Sequence, residues 1–222
     1  MTSAKEHTAD VQKNVLSFYL KWRKNMSKEL WKAGNMLYPV PVVMVSCGTM
    51  EESNIITVAW TGTINTNPPM TYVSVRPERH SYNMIKETGE FVINVTTEAL
   101  AYATDWCGVR SGSKYDKFKE MKLTKEECPL VSCPAIAESP MNIMCKVKEI
   151  VHLGSHDMFV AEVVGTLADE KYMDEKGKFI YSDTKPICYS HGEYYGLGKK
   201  LGKFGYSVEK KKTKAKRAKR KN

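Results

Sequence analysis

The sequence contains no long apolar run. None approaches the roughly 20 consecutive apolar residues that carry a helix across a bilayer, so no membrane span is expected. Near the N-terminus Lys5, Glu6, His7 and Asp10 stand with no apolar stretch behind them. A secretory signal is therefore not expected, and the cytoplasm is the expected location. There is no P-loop and no G-x-S-x-G elbow, which argues against a P-loop hydrolase and an α/β-hydrolase. Gly196, Gly198 and Gly202 are spaced G-x-G-x₃-G, one residue too long for a dinucleotide fingerprint, and no strand–helix–strand alternation surrounds them. A Rossmann domain is not expected either. No internal repeat is present.

Cysteine is present without a framework. Six occur, at 47, 107, 128, 133, 145 and 188, in a chain of 222 residues with no expected signal, so reduced thiols are the natural reading. Cys128 and Cys133 are spaced C-x₄-C, but no second pair follows, and zinc takes about four ligands. No metal site is expected. Cys107, between Trp106 and Gly108, is the thiol with most reason to be reactive; a spectator role stands beside that reading.

Positive charge is concentrated in one place. Residues 210–222, KKKTKAKRAKRKN, hold nine Lys or Arg and no acid, and they account for the whole net charge of +9. The body is neutral. Such a run has no apolar face to bury, so 209–222 is read as a disordered basic tail. It is either a solubilising terminus or a contact for nucleic acid or acidic surfaces. It lacks the interleaved aromatics of a single-strand binder.

What is present is mostly strand. Residues 10–33 space Val11, Val15, Phe18, Leu20 and Trp22 among charges and predict an N-terminal helical arm, assigned to 1–35. The domain proper is assigned to 36–208. Strands are expected from the MLYPVPVVMVSCG segment and over 54–61, 70–76 and 91–95. Residues 81–88 predict a short helix with Ser81 as N-cap and Gly89 as its stop. Residues 97–106 predict another, stopped by Gly108, and 111–119 a loop with a helical turn. Residues 141–153 and 157–167 alternate as a long hairpin turning at Gly154-Ser155-His156. The pattern predicts a mainly β, antiparallel barrel with a few short helices.

One stretch carries chemistry. Along 54–61, Ile56, Val58 and Trp60 are large and alternate with the small Thr57, Ala59 and Thr61, followed by Gly62. A small strand face leaves backbone amides and carbonyls open to the edge of a flat heterocycle. Pro68-Pro69 then stiffens the connection. Ser74 and Arg76 close the next strand, and Arg79, His80 and Ser81 open a helix. A helix start presents unpaired N–H groups and partial positive charge, which favour a phosphate. An Arg and a hydroxyl there add charge-assisted bonds. A ring-binding strand and a phosphate-binding helix start describe a mononucleotide site, and flavin mononucleotide (FMN) fits best. The bland alternative, a packed strand face and a solvated Arg cluster, stays open on composition alone.

Four segments, PVPVVMVSCG, NIITVAWTGTINTNPPMTYVSVRPERHSYNMIKETGEFVINV, DWCGVRSGSKYDKF and HGEYYGLG, resemble in order and spacing the flavin reductase-like, FMN-binding split-barrel family, especially its flavoredoxin type. The likeness runs from about Pro39 to about Gly198. It implies a six-stranded antiparallel split barrel, homodimeric, with FMN near the dimer interface. It also implies that the Thr57–Gly62 strand lines the flavin ring and that Arg79-His80-Ser81 receives the phosphate. Ser111, Gly112, Asp116, Lys117 and Phe118 are placed near the cofactor by the same likeness, and Tyr189–Tyr195 over the ring, from the same or the partner subunit. The implied activity passes electrons from NADH or NADPH through the flavin to an acceptor. The flavin carries that chemistry, so no catalytic side chain is assigned. Lys117 or an amide of the Thr57–Gly62 strand is expected to support the reduced ring, and His191, beside Gly192, to border its open face. A carrier reduced by a partner protein and passing electrons to an acceptor protein is the alternative.

Overall fold

The computed structural model describes residues 27–209 and Ser17. The chain divides into two units, Met1–Leu37 and Tyr38–Asn222. Of the helix expected over 10–33, Ser17 is helical and 27–33 are not; the rest lies outside the described residues, as does the basic run 210–222.

In the second unit, short strand β1 (Val40–Pro41) leads into β2 (Val43–Gly48), β3 (Ser53–Val58), β4 (Thr61–Thr66) and β5 (Pro69–Val75). Helix α1 (His80–Thr88) and strand β6 (Glu90–Val95) follow, then helices α2 (Ala101–Val109) and α3 (Lys117–Glu120). Strands β7 (Lys125–Glu126) and β8 (Ala135–Ile136) precede the long hairpin β9 (Met141–His152) and β10 (Asp157–Ala168). Strands β11 (Ile187–Ser190) and β12 (Glu193–Gly196) complete the unit.

Seven of these strands form one antiparallel sheet in the order β3-β2-β6-β9-β10-β5-β4. Its two outermost strands are consecutive in the chain, joined only by Ala59 and Trp60. A flat seven-stranded sheet would hold its edges ~29 Å apart, whereas three residue steps span at most ~11 Å. The sheet therefore curls to bring its edges together, and the β4–β5 ladder runs on into the corner, where the Ser74 N–H donates to the Trp60 carbonyl at 2.9 Å. This is the split barrel. The expected strand 54–61 is broken at that corner, which makes seven paired strands where six were expected.

Strand alternation sorts the core. Val43, Val45, Cys47, Ile56 and Val58 point inward with Phe91 and Phe159. Met44 and Ile55, on the opposite parity, pack outward against Leu100, Ala103, Cys107 and Phe118. β2 is thus buried on both faces, as the apolar run Val42–Val45 that enters it suggests. In the long hairpin, register shifts at Val160/Ala161 and Val163/Gly165 interrupt the simple alternation.

Two helix boundaries differ from expectation. Arg79, not Ser81, is the N-cap residue of α1, and no side chain caps that end; Gly89 does end it, at φ 66°. The helix expected over 97–106 begins as a 3₁₀ turn, Glu98–Leu100, and continues as α2 through Gly108. Gly108 serves close packing, because a Cβ there would lie 3.1 Å from the Cβ of Thr57. Among the described residues, no helix is long and apolar enough to cross a membrane, and no three His, Cys, Asp or Glu are grouped to hold a metal ion.

Candidate functional site

The barrel seam opens onto two adjoining clefts. The larger, about 310 Å³, is floored by residues 56–60 and walled by Ser74, Val75, Arg76, Arg79, His156 and Tyr189. The smaller, about 100 Å³, lies over the start of α1, where Arg79, His80 and Ser81 meet Arg110, Gly112 and Lys117. Ile56 and Arg79 line both.

The smaller cleft gathers hydrogen-bond donors and cations. α1 carries no acid in its first turn and no capping side chain, so its first amides have no side-chain acceptor. The Arg79 guanidinium has no hydrogen-bond or ion-pair partner among the described residues. Ser81 is buried, its hydroxyl oxygen accepts from Asn54 Nδ2 at 2.7 Å, and the Cys47 thiol is a second hydrogen-bonding neighbour of that hydroxyl. Asn54 in turn sits against Gly112, where a Cβ would lie 2.2 Å from Asn54 Oδ1. The one acid at this cleft, Glu78, pairs with Arg76 at 3.2 Å.

Lys117 is the unusual cation. It is only 4% exposed, and its ammonium donates to the carbonyls of Ile55 and Cys107, each at 2.6 Å. Burial lowers its pKa to about 8. Asp116, one residue before, caps α3 by accepting the Lys119 N–H at 3.2 Å, and Phe118 enters the core. The DKF triplet thus anchors α3 while its lysine faces the cleft.

The larger cleft offers main chain and aromatics. The Thr57 hydroxyl is engaged with the Thr104 carbonyl at 2.5 Å and packs on Gly108, so the small face expected to be open is covered by α2 at that position. At its aromatic side the Tyr38 ring lies 6.3 Å from Trp60, 6.1 Å from Tyr189 and 4.7 Å from His191. His156 lines the cleft with Arg76 and Arg79; burial, then those two cations, lower its pKa and favour the neutral imidazole.

Most of the expected residues are brought together. Thr57, Ala59, Trp60, Ser74, Arg76, Arg79 and Tyr189 line the larger cleft, and Arg79, His80, Ser81, Ser111 and Lys117 the smaller. Thr61, Gly62 and His191 line neither cleft, and neither do Asp116 and Phe118. Thr61 is buried, donating to the Tyr72 carbonyl at 2.6 Å, because the chain has turned the corner into β4. Gly62 packs beside the Tyr72 ring. His191 sits at the tip of the β11–β12 turn, at φ 50°, against Tyr38. Lys117 lines the smaller cleft and not the larger one. Cys107 is fully buried, and burial raises its pKa to about 11, which removes the expectation of a reactive thiol.

Sequence reasoning missed Asn54, Arg110 and His156. His156 was legible only as a turn residue; its place in the cleft comes from the pairing of β10 with β5, which sets Asp157 opposite Val75.

Comparison with known proteins agrees with this architecture. The solved structure of flavoredoxin from Desulfovibrio vulgaris (Miyazaki F) superposes with a TM-score of 0.76 at 28% identity, over 82% of this chain and 100% of that one. An uncharacterized protein of Archaeoglobus fulgidus is 30% identical over 156 residues, 70% of this chain and 88% of its own. A ferric-chelate reductase (NAD(P)H) of the same organism is 28% identical over 123 residues, 54% of this chain and 68% of its own. Residues 35–198 match the flavin reductase like domain, and this chain belongs to the flavin reductase-like family of split-barrel flavoproteins.

Proposed function

We propose that the chain binds FMN across the two clefts and is an NAD(P)H-dependent flavin oxidoreductase, acting as a cytoplasmic homodimer. The observation that carries this reading is the shared position of Arg79. It joins a ring-sized cleft floored by main chain to an uncapped helix start with a buried hydroxyl and a buried lysine. Donors converging on a small cavity fit one phosphate.

Arg79, the first amides of α1, Ser81 and Lys117 would hold the phosphate, and Ser111 and Arg110 would close its outer side. The backbone of 57–60, with Ser74 and Tyr189, would hold the ring. When bound, FMN supplies the redox chemistry, accepting electrons from a nicotinamide and passing them to an acceptor. The protein's part is to fix the ring at the seam, to present amides to its polar edge, and to place Arg76, Arg79 and a neutral His156 along one wall. The similarity to a reductase named for NAD(P)H supports the choice of donor.

Anaerobic titration of the FMN-loaded protein with NADH and with NADPH, followed by flavin absorbance, tests this. Bleaching by one or both nucleotides supports the enzyme. A stably yellow protein that neither bleaches is instead a carrier reduced by a partner protein.

A further inference from the structure

Beyond β12 the chain displays what it has no core to hold. Leu197, Leu201, Phe204, Tyr206 and Val208 are all exposed, Leu201 to 91% and Phe204 completely. The stretch is nevertheless locally shaped. The Tyr206 ring lies against Gly202, where a Cβ would come within 2.6 Å of it. Lys203 pairs with Glu209 at 3.4 Å, and Tyr206–Val208 form a 3₁₀ turn after Gly205. A shaped segment that buries none of its large apolar side chains is an interaction surface.

A complementary surface stands beside its root. The Tyr194 hydroxyl, on β12, donates to Asp105 Oδ1 at 3.1 Å, which sets β12 next to α2. On α2, Tyr102 and Val109 are 76% and 69% exposed and share one helix face with Asp105. The charges match as well. Glu98 and Asp105 flank Tyr102, whereas Lys199, Lys200 and Lys203 are interleaved with Leu197, Leu201 and Phe204. Within one chain neither surface covers the other.

We propose that residues 197–208 of one copy lie along the α2 face of a second copy, and the reverse, in an isologous dimer. This rests on the homodimer reading and names the surface that makes it. Taking ~200 Å² for a fully exposed aromatic side chain, the apolar groups of segment and helix offer on the order of 1,500 Å² over two copies. That lies within the about 1,200–2,000 Å² of a stable interface. Cys107 and Gly108 in the last turn of α2, with Arg110 beyond it, line the smaller cleft, so a partner segment seated on α2 flanks that cleft.

Sedimentation equilibrium of the full chain at micromolar concentration is expected to give a dimer. The exposed pairs Leu201→Ser with Phe204→Ser, and Tyr102→Ser with Val109→Ser, are each expected to raise the dimer Kd at least tenfold, with circular dichroism unchanged. Combining all four is expected to do no more than either pair, because both remove the same contact. A dimer that survives either pair, or losses that add in the fourfold variant, overturns this seat and leaves the homodimer reading standing. A wild-type monomer overturns both. A monomer that sediments with phosphatidylserine vesicles does so too, and assigns the segment to a lipid surface.

Discussion

Asn54 Nδ2 donates to the Ser81 hydroxyl oxygen at 2.7 Å, tying the strand that leads into the larger cleft to the helix that opens the smaller one. Both side chains are buried. The bond fixes the Ser81 oxygen as acceptor and so sets the orientation of its hydroxyl. Asn54→Ala removes that constraint and leaves the hydroxyl underused. It is expected to cost ~1–3 kcal/mol of stability by the usual penalty for a broken buried hydrogen bond, measured by urea unfolding, and to weaken FMN binding about tenfold in a fluorescence titration.

Gly112→Ala tests the same corner from the loop side. The added Cβ would lie 2.2 Å from Asn54 Oδ1, inside any tolerable contact, so the loop carrying Ser111 or the Asn54 side chain that holds Ser81 must move. FMN affinity is expected to fall by tenfold or more. The melting temperature should change little, because the loop is exposed on its other side. A variant with unchanged affinity would show that this loop does not close the phosphate cleft.

The barrel was legible because strand alternation, the Gly154-Ser155-His156 turn and the helix stop at Gly89 are local signals that the folded core reinforces. The break at Ala59-Trp60 was not. Its cause is closure of the sheet, a global constraint that leaves no mark in a run such as TVAWTG. The same holds for Ser81. By composition it is an ideal N-cap, yet burial against Asn54 places it inside the helix. By composition Lys117 is one more charge in a polar segment, placed near the cofactor only by the family resemblance, and the packing of α3 on Ile55 and Cys107 buries it. Segments in sequence order identified which residues converge; which cleft each one faces depended on the corner.

Lys117 gives a pH signature. Burial holds its pKa down at about 8, with Arg79 acting in the same direction, and a bound phosphate dianion would raise it. The free protein therefore loses this positive charge as pH rises through about 8, and FMN affinity is expected to decline from there upward. Lys117→Met should bind at least tenfold more weakly at pH 7 and lose that decline. The sign for stability is opposite. The unfolded lysine keeps its proton above pH 8, so this group's contribution to folding improves with pH between about 8 and its ordinary pKa.

The thiols divide by depth. Cys47, Cys107, Cys133 and Cys145 are buried, and burial raises all four; Cys47 and Cys107 reach about 11. Cys128 and Cys188 are partly exposed. A disulfide reagent at pH 8 is expected to label no more than two of the six thiols in the native protein and all six in denaturant. The four raised values stabilise the fold below pH 9 and lose that contribution as pH climbs toward 11, so alkaline unfolding should begin in that window.

The most direct measurement compares FMN with riboflavin, which carries the same ring and lacks the phosphate. Charge-assisted hydrogen bonds of ~1.5–3 kcal/mol each from Arg79 and Lys117 should make FMN bind at least about a hundredfold more tightly. Arg79→Ala combined with Lys117→Met should erase most of that difference, with a much smaller loss for riboflavin. Equal affinity for the two flavins, or a colourless protein that takes up no FMN at micromolar concentration, would contradict the assignment of ring and phosphate to these adjoining clefts.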